Sequence, residues 1–428
     1  MQKHRTLMEA PVFLWRVAAI LLTCETGYLC YIGPPGLGLY LSSINSNPLD
    51  SPMNIYRNLK TGTLASLLIL LLCLMQGCSS MDQLRVYVGT YTGGKSESQG
   101  IYRYRLDLRT GAMELEGATA SESPSFLALH PDGGFLYAVN ESSAEVSAFS
   151  IDPTTGDLTF LNKLPAGGSA PCHIVVDASG KNVLIATYGG GNISAFPVQK
   201  DGSLGEATAF VQHERSPTDE RGPNAHSINL SADNRFAFVA DLGLNKVFVY
   251  RFDAAKGTLV PHEEPSVPLK PGAGPRHFAF HPDGRYAYVI NELDSTMTTF
   301  AYDPERGTLR EVQTTTTLPA GVEKSWTAEV QVEPSGRFVY GSNRGHDSIA
   351  VFAMDPENGT LTVVEHEPTQ GKFPRGFGID PTGNFLLVGN QESNVIVIFR
   401  INQKTGELDA TGQVLSVPKP VCVKFLAL

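Results

Sequence analysis

The sequence is short of charge and of usable cysteine. Charged residues fill 18% of its 428 positions, against a usual share of about 25%. Acid exceeds base, 43 Asp and Glu to 33 Lys and Arg, for a formal charge of −10. A surface of that sign repels phosphate backbones, which excludes general nucleic-acid binding. Six cysteines occur without a Cys-x-x-Cys pair, so no zinc or dithiol redox signature is present. There is no Gly-x-Ser-x-Gly elbow, and Gly189-Gly-Gly191 lies between two strand-like runs and lacks the helix that a phosphate loop needs. No metal site and no cofactor are expected.

Turn formers are abundant instead, with 42 Gly and 28 Pro. Hydrophobic residues at 42% leave enough to bury a core, so a disordered or collagen-like chain is excluded. This composition favours many short strands over long helices. Length alone suggests two or three domains at about 100–200 residues each.

The N-terminal region reads differently from the rest. Met53 to Lys60 is short and basic, and Leu64 to Met75 is an apolar run of signal-peptide length, too short to cross about 30 Å of hydrocarbon as a helix. It ends Met75-Gln-Gly-Cys78, which resembles the lipobox of bacterial lipoproteins. That resemblance implies cleavage before Cys78 and lipidation of its thiol. Residues 1–52 then read as an upstream extension without a folded role, 53–77 as a lipoprotein signal peptide, 78–83 as a linker and 84–428 as the folded domain. The expected location is the bacterial cell envelope, with membrane contact only through the lipid on Cys78. Without a functional leader the location would be cytoplasmic. Cys172 and Cys422 are the cysteines left in the folded part, and they read as two buried free thiols.

From residue 84 onward one unit recurs. Pro275-Arg-His-Phe-Ala-Phe-His-Pro-Asp-Gly-Arg-Tyr-Ala-Tyr-Val-Ile-Asn-Glu292 has counterparts starting at Pro124, Pro171, Pro223, Trp326 and Pro374, and a fragment at Pro420, spaced by 46 to 52 residues. Each copy reads as a short apolar strand, a tight Gly turn, an aromatic-rich strand, a third strand and a weak outer strand. Four antiparallel strands at such a period are the signature of a β-propeller. Six full copies are present, and the orphan strand at 420–428 needs three partners. Arg85–Tyr91, Gly100–Leu106 and Met113–Glu116 can supply them. The expected fold is therefore all-β, a seven-bladed β-propeller of four-stranded antiparallel blades closed by a composite N-/C-terminal blade, which removes most open edges.

The hairpin geometry sorts the polar residues. The start of strand one and the end of strand two share one face of the ring, so Arg276, His277 and Glu292 belong to one mouth. His173, Tyr188, His226, Asp241, Glu329, Arg344, Arg375, Asn140 and Glu141 join them by equivalence. His130 and His281 precede the Pro-Asp-Gly turns and fall on the opposite face as turn-packing residues. The asparagines read as turn ties. Arginine, glutamate and histidine are costly to bury unpaired, which marks them for chemistry.

At these residues the chain resembles the cycloisomerase-like lactonase family of seven-bladed propellers, which includes 6-phosphogluconolactonases and carboxymuconate lactonising enzymes. The specific stretches are Gly272–Arg285, Asn291-Glu-Leu-Asp-Ser295, Ser342–Phe352 and the loop Arg221-Gly-Pro-Asn-Ala-His-Ser227. The resemblance implies a lactone hydrolase of the 6-phosphogluconolactonase type, opening 6-phosphoglucono-1,5-lactone to 6-phosphogluconate, with His226, Arg276, Glu292 and Arg375 as its catalytic set. Substrate binding is then expected at His173, His277, Glu329 and Arg344, with an anionic small-molecule lactone as substrate. One role assignment has Glu292 or His226 activating water, Arg276 steadying the oxyanion, and His277 with Arg375 holding the anionic end. Another sugar or muconate-type lactone, or a ligand-binding propeller without catalysis, stands as the alternative.

Overall fold

The computed structural model describes residues 82–217 and 219–428 in full, together with the backbone of two short N-terminal strands. The chain divides into two units, residues 1–78 and 79–428. In the first unit Tyr28–Ile32 pairs antiparallel with Leu39–Ser43, a hairpin in a region expected to hold no folded element. The leader at 53–77 and Cys78 lie outside the described residues.

The second unit consists of seven four-stranded antiparallel sheets, each a blade. In blades 1 to 6 the innermost strands are Pro124–Leu129, Pro171–Val176, Ala225–Leu230, Pro275–Phe280, Trp326–Val332 and Pro374–Ile379. In blade 7 Pro420–Ala427 pairs with Gln83–Thr90, which leads into Gly100–Asp107 and Met113–Ala120. The composite blade is as expected, with an outer strand four residues longer than Met113–Glu116. The third repeat enters its sheet at Ala225 rather than Pro223.

The sequence patterns explain the layering. Second strands such as Phe236–Asp241 and Tyr286–Asn291 are buried along their whole length and accordingly carry near-continuous apolar runs. Outer strands such as Met113–Ala120 present mixed exposure and carry charge. The core lies between blades: Phe238 of blade 3 stacks on Phe278 of blade 4 at 5.4 Å, and Tyr340 of blade 5 packs with Phe377 and Leu386 of blade 6.

On the turn face, one blade fastens the next in a repeated way. The Nε2 of His130 donates to Gly180 O at 2.8 Å, and that of His281 to Gly336 O at 2.7 Å. Both glycines have positive φ, and an added Cβ would meet the imidazole at 2.3 and 2.4 Å. Second-strand tyrosines reach across in the same manner, with Tyr87, Tyr137 and Tyr340 donating to Gly156 O, Gly202 O and Gly406 O.

The mouth face is shaped by a register shift at the start of every inner strand. Pairing skips one inner-strand residue in six blades, as between Pro275/His277, Ala225/Ser227 and Pro374/Gly376, and two in blade 5, between Thr327 and Val330. An unbroken strand would send neighbouring side chains to opposite faces. A bulge sets two residues against one and re-aims the extra side chain.

Candidate active site

The residues that the bulges release are Ser125, Cys172, His226, Arg276, Arg375 and Val421, with both Ala328 and Glu329 in blade 5. The consequence is visible in a cavity of about 10 Å³ at the mouth, lined by both Arg276 and His277 and by both Ser125 and Phe126. Cys172, Arg375 and Val421 complete that layer, and Tyr91 and Glu141 cover it from the ends of their second strands.

Arg276 is 2% exposed. Its Nε donates to Glu292 Oε2 at 3.0 Å and its Nη1 to Ala328 O at 2.6 Å. Arg344 pairs with the same Glu292 oxygen at 2.8 Å and donates to Thr327 O at 2.6 Å. One carboxylate thus fixes two guanidiniums. Burial pushes Glu292 up, but Arg276, Arg344 and Arg375 outweigh it and hold the carboxyl below its ordinary range. Burial, followed by the Arg276 charge, lowers Arg344 to about 9, which leaves it cationic at neutral pH. Glu292 therefore acts as an anchor for arginines, a geometry that weakens it as a base.

The imidazoles form a second layer. His277 lies 5.3 Å from His173 and 5.3 Å from His226, centroid to centroid. Phe126 packs 4.4 Å from His173, and Lys424 Nζ stands 4.6 Å over the Phe126 ring. His277 Nδ1 is 3.2 Å from Glu329 Oε1. All three histidines are held well below 6.5, first by burial and then by neighbouring charge, Arg276 above all for His226 and His277. They are neutral at neutral pH. Burial pushes Glu329 above its ordinary range, against the pull of Lys424 and Arg276.

Arg375 differs from the other two arginines. Among the described residues it has no hydrogen-bond or ion-pair partner; its guanidinium sits 5.4 Å from the Tyr91 ring centroid. Tyr91 meanwhile donates to Glu141 Oε2 at 2.7 Å. A half-buried cation at a cavity, with no hydrogen bond or ion-pair contact of its own, is suited to an anionic ligand.

The structure brings Arg276, Arg375 and His277 to the cavity wall. His226, Glu292, Glu329, Arg344 and His173 surround those three at one remove. His281 is on the turn face, where the expectation placed it, and His277-x-x-x-His281 on a strand keeps its two rings at separate ends. Ser125, Tyr91 and Lys424 belong to the site but were not singled out. Tyr91 follows its second strand just as Glu292 follows Tyr286–Asn291, so the same hairpin rule could have found it. A lysine inside the apolar run Val421-Cys-Val-Lys424 was the signal for Lys424. A larger hollow of about 490 Å³ on the turn face is lined by Leu230, Phe280, Pro282 and Tyr302, and no arginine or lysine lines it.

A family model described as "Lactonase, 7-bladed beta-propeller" matches residues 85–425. The chain is 39% identical over 346 residues to 6-phosphogluconolactonase of Bacillus subtilis, covering 79% of this chain and 97% of that one. It is 36% identical over 343 residues to 6-phosphogluconolactonase of Formosa agariphila, covering 78% and 96%. Among solved structures, the periplasmic gluconolactonase of Pseudomonas aeruginosa superposes with a TM-score of 0.75 at 32% identity, over 81% of this chain and 99% of that one. A ring of seven blades whose bulges turn arginine and histidine into one mouth, matched along nearly its whole length, places this chain in the seven-bladed β-propeller lactonase family.

Proposed function

We propose that the mouth hydrolyses 6-phosphoglucono-1,5-lactone to 6-phosphogluconate without a cofactor. Arg375 carries this reading: a half-buried guanidinium that makes no hydrogen bond or ion-pair contact among the described residues complements a dianionic phosphate better than a neutral sugar. Arg276, held by Glu292 and Ala328 O, is fixed in orientation and stabilises the charge that develops on the carbonyl oxygen. The names of the Bacillus and Formosa relatives support the same substrate.

A second reading rests on the leader. A lipobox at Met75–Cys78 would put the enzyme outside the cytosol, where an unphosphorylated aldonolactone is the more accessible substrate, and the Pseudomonas neighbour is titled a periplasmic gluconolactonase. We place the chain in the cell envelope, anchored through Cys78. Cys78→Ala should then move the protein from membrane to soluble fraction, and unchanged membrane retention would remove the anchor.

The deciding experiment compares turnover of 6-phosphoglucono-1,5-lactone and glucono-1,5-lactone by the parent and by Arg375→Ala. Under the first reading Arg375→Ala raises KM for the phosphorylated lactone about tenfold or more and changes KM for the plain one little. A parent that prefers the plain lactone establishes the second reading, and a parent that opens neither overturns both.

A further inference from the structure

The cavity beside Arg276 is about 10 Å³, close to the space that one water molecule needs. Two polar atoms on its lining residues are buried and without a hydrogen-bond partner among the described residues, Ser125 Oγ and His277 Nε2. His277 is 3% exposed, and leaving such groups unpaired is costly. Its other nitrogen is committed, since Nδ1 lies 3.2 Å from the Glu329 carboxylate. A carboxylate that accepts from Nδ1–H fixes the tautomer and leaves Nε2 with a lone pair.

We propose that this cavity binds the hydrolytic water, with Ser125 and His277 as its ligands, His277 as the catalytic base and Glu329 as a positioning residue. This rests on the lactonase reading above and replaces the roles offered for Glu292 and His226. The water oxygen bonds to the lactone carbonyl carbon while Nε2 takes its proton. The acyl carbon–ring oxygen bond then breaks, and the imidazolium returns that proton to the departing ring oxygen as a hydroxyl. The products are the free acid and its new alcohol group. The charges that face the His277 ring are Arg276 on its own strand and Arg344, Arg375 and Lys424 on others, against Glu329; His173 and His226 face it as neutral rings. The net positive surroundings keep the base form populated at neutral pH.

The experiment measures kcat, KM and the pH–rate profile of the full chain and of three variants on the lactone that the parent opens. His277→Asn should lower kcat about 10²–10⁴-fold. Ser125→Ala, a small change that the fold tolerates, should lower kcat about tenfold with KM unchanged, one lost hydrogen bond to the water. Glu329→Gln should lower kcat at least tenfold and move the acid limb to lower pH, because a nearby carboxylate favours the imidazolium. Should His277→Asn fail to fold, Ser125→Ala and Glu329→Gln decide. A parent inactive on every lactone overturns the function and the base together. With an active parent, turnover within threefold in His277→Asn, or Ser125→Ala and Glu329→Gln changing only KM, overturns the base alone.

Discussion

The two faces of the ring are built from the same repeat and have opposite characters. On the turn face, equivalent positions carry equivalent contacts: His130 and His281 each grip the turn glycine of the next blade, and Tyr87, Tyr137 and Tyr340 repeat another grip. On the mouth face, equivalent bulge positions hold Ser125, Cys172, His226, Arg276, Arg375 and Val421, with Ala328 and Glu329 together in blade 5, a set in which arginine alone recurs. Where a repeat repeats its side chains it fastens blades, and where it varies them it makes a site. The backbone device, a bulge between the two innermost strands, is common to all seven.

Deleting residues 420–428 should have the largest effect, because it strips the inner strand from blade 7 and takes Val421 and Lys424 out of the mouth at once. The strand Gln83–Thr90 loses its inner partner from Leu84 to Thr90, and the truncated chain should be insoluble or melt far below the parent. A melting temperature within a few degrees of the parent would mean that the composite blade does not hold the ring.

Arg276→Ala should come next, cutting kcat about 10²–10³-fold with a melting curve still cooperative. If only KM rises, Arg276 binds the ground state and the transition state alike, and the mouth is a binding surface at that point. Glu292→Gln keeps the shape but weakens the hold on Arg276 and Arg344, so its kcat should fall in the same direction by a smaller factor.

Tyr340→Phe and His281→Gln probe the other face. Each removes one buried hydrogen bond to a glycine carbonyl, an expected loss of about 1–2 kcal/mol of stability, while kcat stays at the parental value. A variant of either residue with parental stability and tenfold lower turnover would reverse the division of labour between the faces.

A last contrast concerns acid. His173, His226 and His277 are held below 6.5 in the folded chain. The unfolded chain therefore binds more protons in the window below 6.5, and stability falls as the pH drops through it. Denaturant titrations at pH 7.5 and 5.5 should show lower stability at 5.5, and His173→Asn should flatten that dependence. An unchanged slope in the variant would show that this ring does not contribute.

Much of this division was legible in the sequence. The period of 46 to 52 residues, the turn glycines and the unpaired strand at 420–428 specify seven blades and their closure. The hairpin rule also put Arg276, His277 and Glu292 on one face, since it depends only on strand direction. The bulges were not legible, because pairing Pro275 with Asn291 and His277 with Ile290 is a relation between strands that leaves no residue type behind. For the same reason the sharing of Glu292 by Arg276 and Arg344, which spans blades 4 and 5, could not be read from either repeat alone. Tyr91 and Lys424 lie in the split blade, where the two halves of the hairpin stand at opposite ends of the chain, so the rule that marks them has to be applied across the termini.

That split blade also sets a schedule for synthesis. Leu84 pairs with Ala427, which emerges from the ribosome some 340 residues later. At about 5–20 residues per second the strand Gln83–Thr90 waits roughly 15–70 s with one edge bare, while six finished blades accumulate behind it. During that interval Tyr91 and Arg375 have no ring to hold them across from Val421, so a nascent chain carries the parts of the mouth without the mouth. Growth rate, translation speed and the availability of holdase chaperones should therefore govern the yield of active protein more than the stability of any single blade.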